Sequence, residues 1–216
     1  MRKIALIVAG GQGARMNTAI PKQFLLLKGT PILMHTLKQF SHFKEIVLVL
    51  PSTQFDYWHS LCDTYNFTLK HTLVAGGKTR FHSVKNGLGK VDDASIVAIH
   101  DGVRPLVSEH LIDKLITATK KGIGIVPVVP VKDSLRKVEG HKTEMIIRSN
   151  LYKVQTPQCF YSSTIKDAYK QNFSLFFTDD ASVLESNGGK ITTIIGEERN
   201  LKITTEEDLK IAEVLI

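Results

Sequence analysis

Five short strand-like runs, Ile4–Ala9, Ile46–Leu50, Thr68–Val74, Ile96–His100 and Ile123–Val129, alternate with segments of helical spacing at Ile32–Phe40, Phe55–Tyr65, Arg80–Leu88 and Leu111–Lys121. A chain that alternates in this way folds as a parallel sheet whose crossover helices cover both faces, an α/β architecture. Ligands of open sheets sit outside the carboxyl ends of the strands. Gly10–Gly13, Gly76-Gly77 and Asp101 all follow strands directly. The fold therefore brings three distant segments to one rim.

The rhythm breaks after Pro130. Residues Val131–Gln155 are charged, include Gly140 and show no helical stripe, which predicts an extended hairpin projecting from the domain. Such an arm has little core of its own, and packing against a second subunit is one way to bury it. Beyond it the sequence predicts helices near Ser162–Tyr169 and Ala181–Ser186 and a strand at Ile191–Ile195. Thr205, with Asp208 three residues on, caps a last helix. The reading is one domain over 1–216 with an arm at about 132–155.

The first strand carries the strongest chemical signal. Gly10, Gly11 and Gly13 remove side chains where the chain leaves the strand, so backbone N–H groups can wrap an anion closely. Arg15 and Lys22 bring two positive charges to the same loop. This combination suits a polyphosphate. Two better-known phosphate loops are excluded. Met16 stands where a dinucleotide fingerprint needs its third glycine, and the second strand ends in Pro51-Ser52 without an acid. Gly77-Lys78-Thr79 has Thr72 where a P-loop requires glycine.

The net charge of +7 admits nucleic acid, a membrane surface or phosphorylated small molecules as partners. No dense basic tract with interleaved aromatics and no nucleic-acid-binding motif is present, which points to the small molecules. The N-terminal apolar run, Ile4–Ala9, is shorter than the ~7–15 residues of a secretory signal, and no stretch approaches the ~20 of a membrane span. A cytoplasmic location is expected. Two cysteines, Cys62 and Cys159, cannot form a disulfide framework and read as packing residues.

Five segments together resemble one family: Ala9-Gly-Gly-x-Gly-x-Arg-Met with Pro21-Lys-Gln-Phe, His100-Asp-Gly-Val-Arg-Pro, Gln155-Thr-Pro-Gln, Thr178-Asp-Asp-Ala-Ser and Asn200-Leu-Lys-Ile-Thr. In order and spacing they are similar to the 2-C-methyl-D-erythritol 4-phosphate cytidylyltransferases of the non-mevalonate isoprenoid pathway. The resemblance implies a homodimer with a Rossmann-like core and a protruding arm. It implies CTP and a sugar-alcohol phosphate as substrates, with Mg2+ as the divalent cation. It places Arg15, Lys22 and Lys202 at the reacting phosphates. The backbone from Ala9 through Gly10, Gly11 and Gly13 cradles the triphosphate. Gly77, Arg80 and Ser83 face the cytosine and ribose, with Lys78 where the family commonly has an acid. Asp101 lies near Mg2+ and the substrate phosphate. Arg148, Thr156 and Thr178 form the sugar-phosphate pocket, which Arg104 and Ser134 reach from a neighbouring subunit. Plain structural readings stand beside these: helix start for Arg80 and Ser83, arm salt bridges and turn caps for Arg104 and Ser134.

The chemistry fits the residues independently. A phosphate monoester is already anionic at neutral pH and can attack the α-phosphorus of CTP without a general base. Positive charge around a crowded anionic transition state is what such a reaction needs. His100 reads as a hydrogen-bonded residue closing a buried strand, and Tyr57 and Trp58 as helix packing. Ala9-Gly10-Gly11 replaces the Ala-Ala-Gly common in the family, a variant shared with ribitol 5-phosphate cytidylyltransferases. That enzyme is one alternative reading and a non-catalytic nucleotide-binding homologue is another. The stretches at Arg148–Tyr152 and Thr178–Ser182 lean towards methylerythritol phosphate.

Overall fold

The computed structural model describes residues 1–10 and 20–216. In chain order the elements are β1 (Arg2–Val8), β2 (Leu26–Leu27), β3 (Thr30–Pro31), α1 (Ile32–Lys38), β4 (Glu45–Leu50), α2 (Phe55–Thr64), β5 (Thr72–Ala75) and α3 (Arg80–Leu88). Then come β6 (Ser95–Asp101), α4 (Glu109–Ala118), β7 (Ile123–Pro130), β8 (Leu135–Glu139), β9 (Lys142–Ile146), β10 (Tyr152–Val154) and β11 (Gln158–Tyr161). The chain closes with α5 (Ser162–Ala168), α6 (Asp180–Ser186), β12 (Lys190–Ile195) and α7 (Glu206–Leu215).

Strands β5, β4, β1 and β6 lie side by side and parallel, with β1 paired to β4 on one edge and β6 on the other. The antiparallel β11 separates β6 from β7, and β12 pairs parallel with β7. The mostly parallel sheet expected from the alternation is thus present, with β11 reversed inside it and β10 reversed against β7.

Both faces are buried, which is why the strands read as unbroken apolar runs. Along β1, Ala5 and Ile7 pack into a cluster with Leu33, Leu37, Trp58 and Leu111 from α1, α2 and α4. The alternate residues Ile4, Leu6 and Val8 face Phe81, Val84, Ile165 and Leu184 from α3, α5 and α6. Each such aliphatic side chain contributes about 1.5–3 kcal/mol by leaving water. Trp58 is fully buried as helix packing, and Tyr57 meets Phe24 edge-on with ring centroids 5.2 Å apart. Cys159 is buried in the same core.

Three local departures have physical causes. The strand expected at Thr68–Val74 begins only at Thr72, because Trp58 Nε1 donates to His71 Nε2 at 2.9 Å while His71 Nδ1 meets the Leu69 carbonyl at 2.7 Å. These bonds hold 69–71 off the ladder. Helix α4 stops at Ala118, short of Lys121. Thr119 turns extended, and Gly122 takes φ +79 to reverse the chain into β7. Strand β11, four residues long and buried from Gln158 to Phe160 without a break, carries no alternation to announce it.

Within the expected arm, Tyr152–Val154 joins the main sheet as β10, antiparallel to β7, while β8 and β9 form a two-stranded hairpin separate from that sheet and turning at Gly140. Val138, Met145 and Ile147 on and just after it are 63%, 66% and 72% exposed. No helix among the described residues is long and apolar enough to cross a membrane.

Candidate active site

The carboxyl ends of β1, β4, β5 and β6 enclose a cavity of about 610 Å³. One wall is the turn after β5. Thr79 caps α3, its side chain accepting from the His82 N–H. One turn into that helix Ser83 accepts from the Gly77 N–H at 3.1 Å and donates to the Thr79 carbonyl at 3.0 Å. A Cβ on Gly10 or Gly76 would lie 3.2 Å from the same hydroxyl, so Ser83 joins the β1 and β5 turns at close quarters. Beneath the β1 turn, the Gln23 amide donates to the Ala9 carbonyl at 3.0 Å and to Gln54 Oε1 at 2.8 Å.

The opposite wall is built on Asp101, the last residue of β6. Its Oδ2 receives Lys202 Nζ at 3.0 Å and Arg104 Nε at 3.3 Å, and its Oδ1 lies 3.6 Å from Arg80 Nε. Burial alone would raise the carboxyl pKa. The charges of Arg80, Lys202 and Arg104 outweigh it and hold Asp101 well below the usual carboxylate range. Arg80 in turn forks onto Asp180, with NH1 to Oδ1 at 2.8 Å and NH2 to Oδ2 at 2.7 Å. Among the described residues lining the cavity, Lys22, Lys78, Arg80 and Lys202 accompany the one carboxylate of Asp101, so its rim carries an excess of positive charge.

Buried polar contacts fix this wall from behind. Gln155 donates to the Glu197 carbonyl at 2.7 Å and accepts from the Glu197 N–H at 3.2 Å. Asn200 donates to the Thr156 carbonyl at 2.8 Å, and its own carbonyl accepts from Arg104 at 2.8 Å. Gln158 bridges Asp179 at 2.8 Å and the Ala181 N–H at 2.9 Å. The loop bearing Lys202 and the start of α6 are therefore both anchored on the segment 155–158.

Phosphate oxygens suit such a rim, since an anion entering it meets net positive charge and turn N–H groups together. The described residues contain no cluster of three or more His, Cys, Asp or Glu arranged for a metal ion. Among the described residues Asp101 is the carboxylate lining the cavity, and there its Oδ1 has only the longer contact with Arg80. One carboxylate completed by substrate phosphates is a usual setting for Mg2+, so the residues present fit that ion.

The family model described as "IspD: 2-C-methyl-D-erythritol 4-phosphate cytidylyltransferase" matches residues 3–216. The chain belongs to the IspD family. A relative from Azobacteroides pseudotrichonymphae genomovar. CFP2 named 2-C-methyl-D-erythritol 4-phosphate cytidylyltransferase is 51% identical over 221 residues, covering 100% of this chain and 99% of the relative. One of the same name from Bacteroides fragilis is 46% identical with 100% of each covered. The crystal structure of the Thermus thermophilus protein of that name is similar at a TM-score of 0.83 and 30% identity, over 100% of this chain and 98% of that one.

Within this IspD chain the sequence-predicted residues divide into four groups. Ala9, Gly10, Lys22, Gly77, Arg80, Ser83, Asp101 and Lys202 line the one cavity. Gly11, Gly13 and Arg15 lie outside the described residues. Ser134, Arg148 and Thr178 are exposed and do not line it. Arg104, read as reaching a neighbouring subunit, is buried in its own chain against Asp101 and the Asn200 carbonyl. Thr156 is buried with its hydroxyl engaged by His100 and the Asp101 N–H. Sequence reasoning passed over Gln23, Gln155, Asn200 and Asp180 as working residues. All four stand inside the quoted motifs, but their partners are far away in the chain.

Proposed function

We propose that this chain transfers the cytidylyl group of CTP to 2-C-methyl-D-erythritol 4-phosphate, giving 4-diphosphocytidyl-2-C-methyl-D-erythritol and pyrophosphate. The observation that carries the reading is the cation-ringed Asp101 beside two glycine turns, in a chain whose full-length relatives bear that enzyme's name. The phosphate monoester oxygen attacks the α-phosphorus, the bond to the β-phosphate oxygen breaks, and pyrophosphate leaves in line. No proton need be removed from the nucleophile. Lys22, on the short turn Lys22–Phe24, and Arg15 meet the triphosphate. In this reading Lys202 bridges the attacking phosphate and the α-phosphate, a role that its ion pair with Asp101 supports by fixing its ammonium at the cavity. Gly77 and Arg80 flank the nucleoside. Arg148, Thr156 and Thr178 receive the sugar phosphate, with Arg104 and Ser134 beside them.

Asp101 is the residue that would hold Mg2+, together with phosphate oxygens, and the bound ion would neutralise triphosphate charge. A homodimer is part of the reading, since the exposed apolar residues Val138, Met145 and Ile147 of the arm gain burial only against another surface. The enzyme works in the cytoplasm on small molecules, without nucleic acid or membrane.

The test is pyrophosphate release from CTP and Mg2+ with methylerythritol 4-phosphate and ribitol 5-phosphate supplied separately. Turnover with the first substrate alone is expected. Turnover with ribitol phosphate alone would reassign the acceptor, and silence with both would overturn the reading.

A further inference from the structure

Asp180 is fully buried, lines no part of the cavity and has no role in the reaction as described above. Both its oxygens accept the Arg80 fork, and Oδ1 also receives the Tyr169 hydroxyl at 2.6 Å. The Tyr169 ring is itself stacked on Phe81, centroids 4.8 Å apart, so the hydroxyl is firmly placed. With its fork on Asp180, which takes one N–H from each terminal nitrogen, the planar Arg80 guanidinium turns its Nε edge towards Asp101. That edge stands 3.6 Å from Asp101 Oδ1, beyond hydrogen-bond length.

We infer that Asp180 is a positioning residue of the active site, which occupies the fork of Arg80 and so keeps that fork from clamping Asp101. Asp101 is the other carboxylate that Arg80 meets, and a guanidinium fork without Asp180 would take it bidentately. Asp101 would then lose the oxygen it turns to the cavity, and Lys202 would lose part of its hold. Tyr169 sets the angle of Asp180 and thus stands one step further back. The inference rests on the proposed function for what Asp101 does, though the placement of Arg80 is independent of it.

The decisive variant is Asp180→Asn, which keeps shape and removes the charge. Turnover should fall roughly tenfold or more, because a displaced positively charged group near reacting phosphates is costly, while the KM for CTP changes less. In an Arg80→Met background the same Asp180→Asn change should have no further effect on kcat. Multiplying effects would overturn the proposal, as would unchanged kcat in Asp180→Asn. A second readout needs no activity: the Arg80 Nε–H resonance, assigned by its absence in Arg80→Met, should move in Asp180→Asn. An unmoved resonance would also overturn it. If Asp180→Asn does not fold, Tyr169→Phe replaces it and should shift the same resonance in the same direction by less. Wild-type inactivity would sink the functional reading while the resonance still reports on Asp180.

Discussion

The Thr156 hydroxyl lies 3.0 Å from Nδ1 of His100, whose Nε2 faces the Arg104 carbonyl at 3.0 Å. A carbonyl can only accept, so Nε2 carries the proton and Nδ1 accepts from Thr156. The Thr156 oxygen accepts in turn from the Asp101 N–H at 3.1 Å. A neutral, fully buried imidazole thus fixes the end of β6 from behind, which leaves it a positioning part in place of acid–base work.

That arrangement makes stability fall in mild acid. Burial pushes the His100 pKa down to about 4 from an ordinary 6.5. The unfolded chain therefore takes up a proton near pH 6.5 that the folded chain refuses until about pH 4. The stabilisation is complete above this window and is lost as pH falls through it, by roughly 3 kcal/mol. Burial lowers His35 and His71 as well, so they add in the same direction. Urea unfolding at about pH 7.5 and about pH 5 should show a smaller loss for His100→Gln than for wild type. Equal losses would exclude His100 as the source.

Thr156→Val keeps the shape and removes both hydrogen bonds. It should cost about 1–3 kcal/mol, because the Asp101 N–H and His100 Nδ1 are left buried and unpaired. Thr156→Ser should restore most of the folding midpoint and of the turnover. A serine variant no better than valine would show that the methyl group, and not the hydroxyl, is what matters.

Gly77 has no room for a side chain. An added Cβ would stand 2.4 Å from His82 Cβ and 3.1 Å from its carbonyl carbon, so the first turn of α3 must shift. Gly77→Ala should raise the KM for CTP by about tenfold, corresponding to ~1.4 kcal/mol. Among the described residues, a Cβ at Gly10 meets Ser83 alone, its hydroxyl at 3.2 Å, so Gly10→Ala should be milder. Steady-state kinetics on both variants checks the order, and the reverse order would remove this turn from nucleotide binding.

The rim was legible in the sequence because β1, β5 and β6 are largely apolar runs that lead into glycine or close on aspartate, whereas β4 leads into Pro51-Ser52. Local chemistry announced Gly10, Gly77 and Asp101, and a helix start announced Arg80. The supports were not legible. Asp180 meets Arg80 across 100 positions, Gln155 meets Glu197 across 42 and Asn200 meets Thr156 across 44. No pattern of period or spacing connects such pairs. Strand β11 escaped for a different cause, since a four-residue strand between two neighbours, with three consecutive residues buried, shows no alternation. The aromatic and histidine contacts that delay β5 until Thr72 are likewise tertiary.

Lys202 separates a role in the reaction from a role in the fold. Its side chain is 38% exposed, so its ion pair with Asp101 is partly screened and adds little to stability. Arg104 and Arg80 still neutralise Asp101 once the lysine is gone. Lys202→Met should therefore leave the thermal midpoint almost unchanged while kcat falls by about 10²-fold or more, the scale of losing one preorganised donor to a developing anion. Lys22→Ala should behave alike, and Arg15→Ala also if it meets the same phosphates. Calorimetry beside pyrophosphate release distinguishes the cases. A Lys202→Met protein that loses midpoint and turnover together would mark the lysine as a strut, whereas full turnover would remove it from the mechanism.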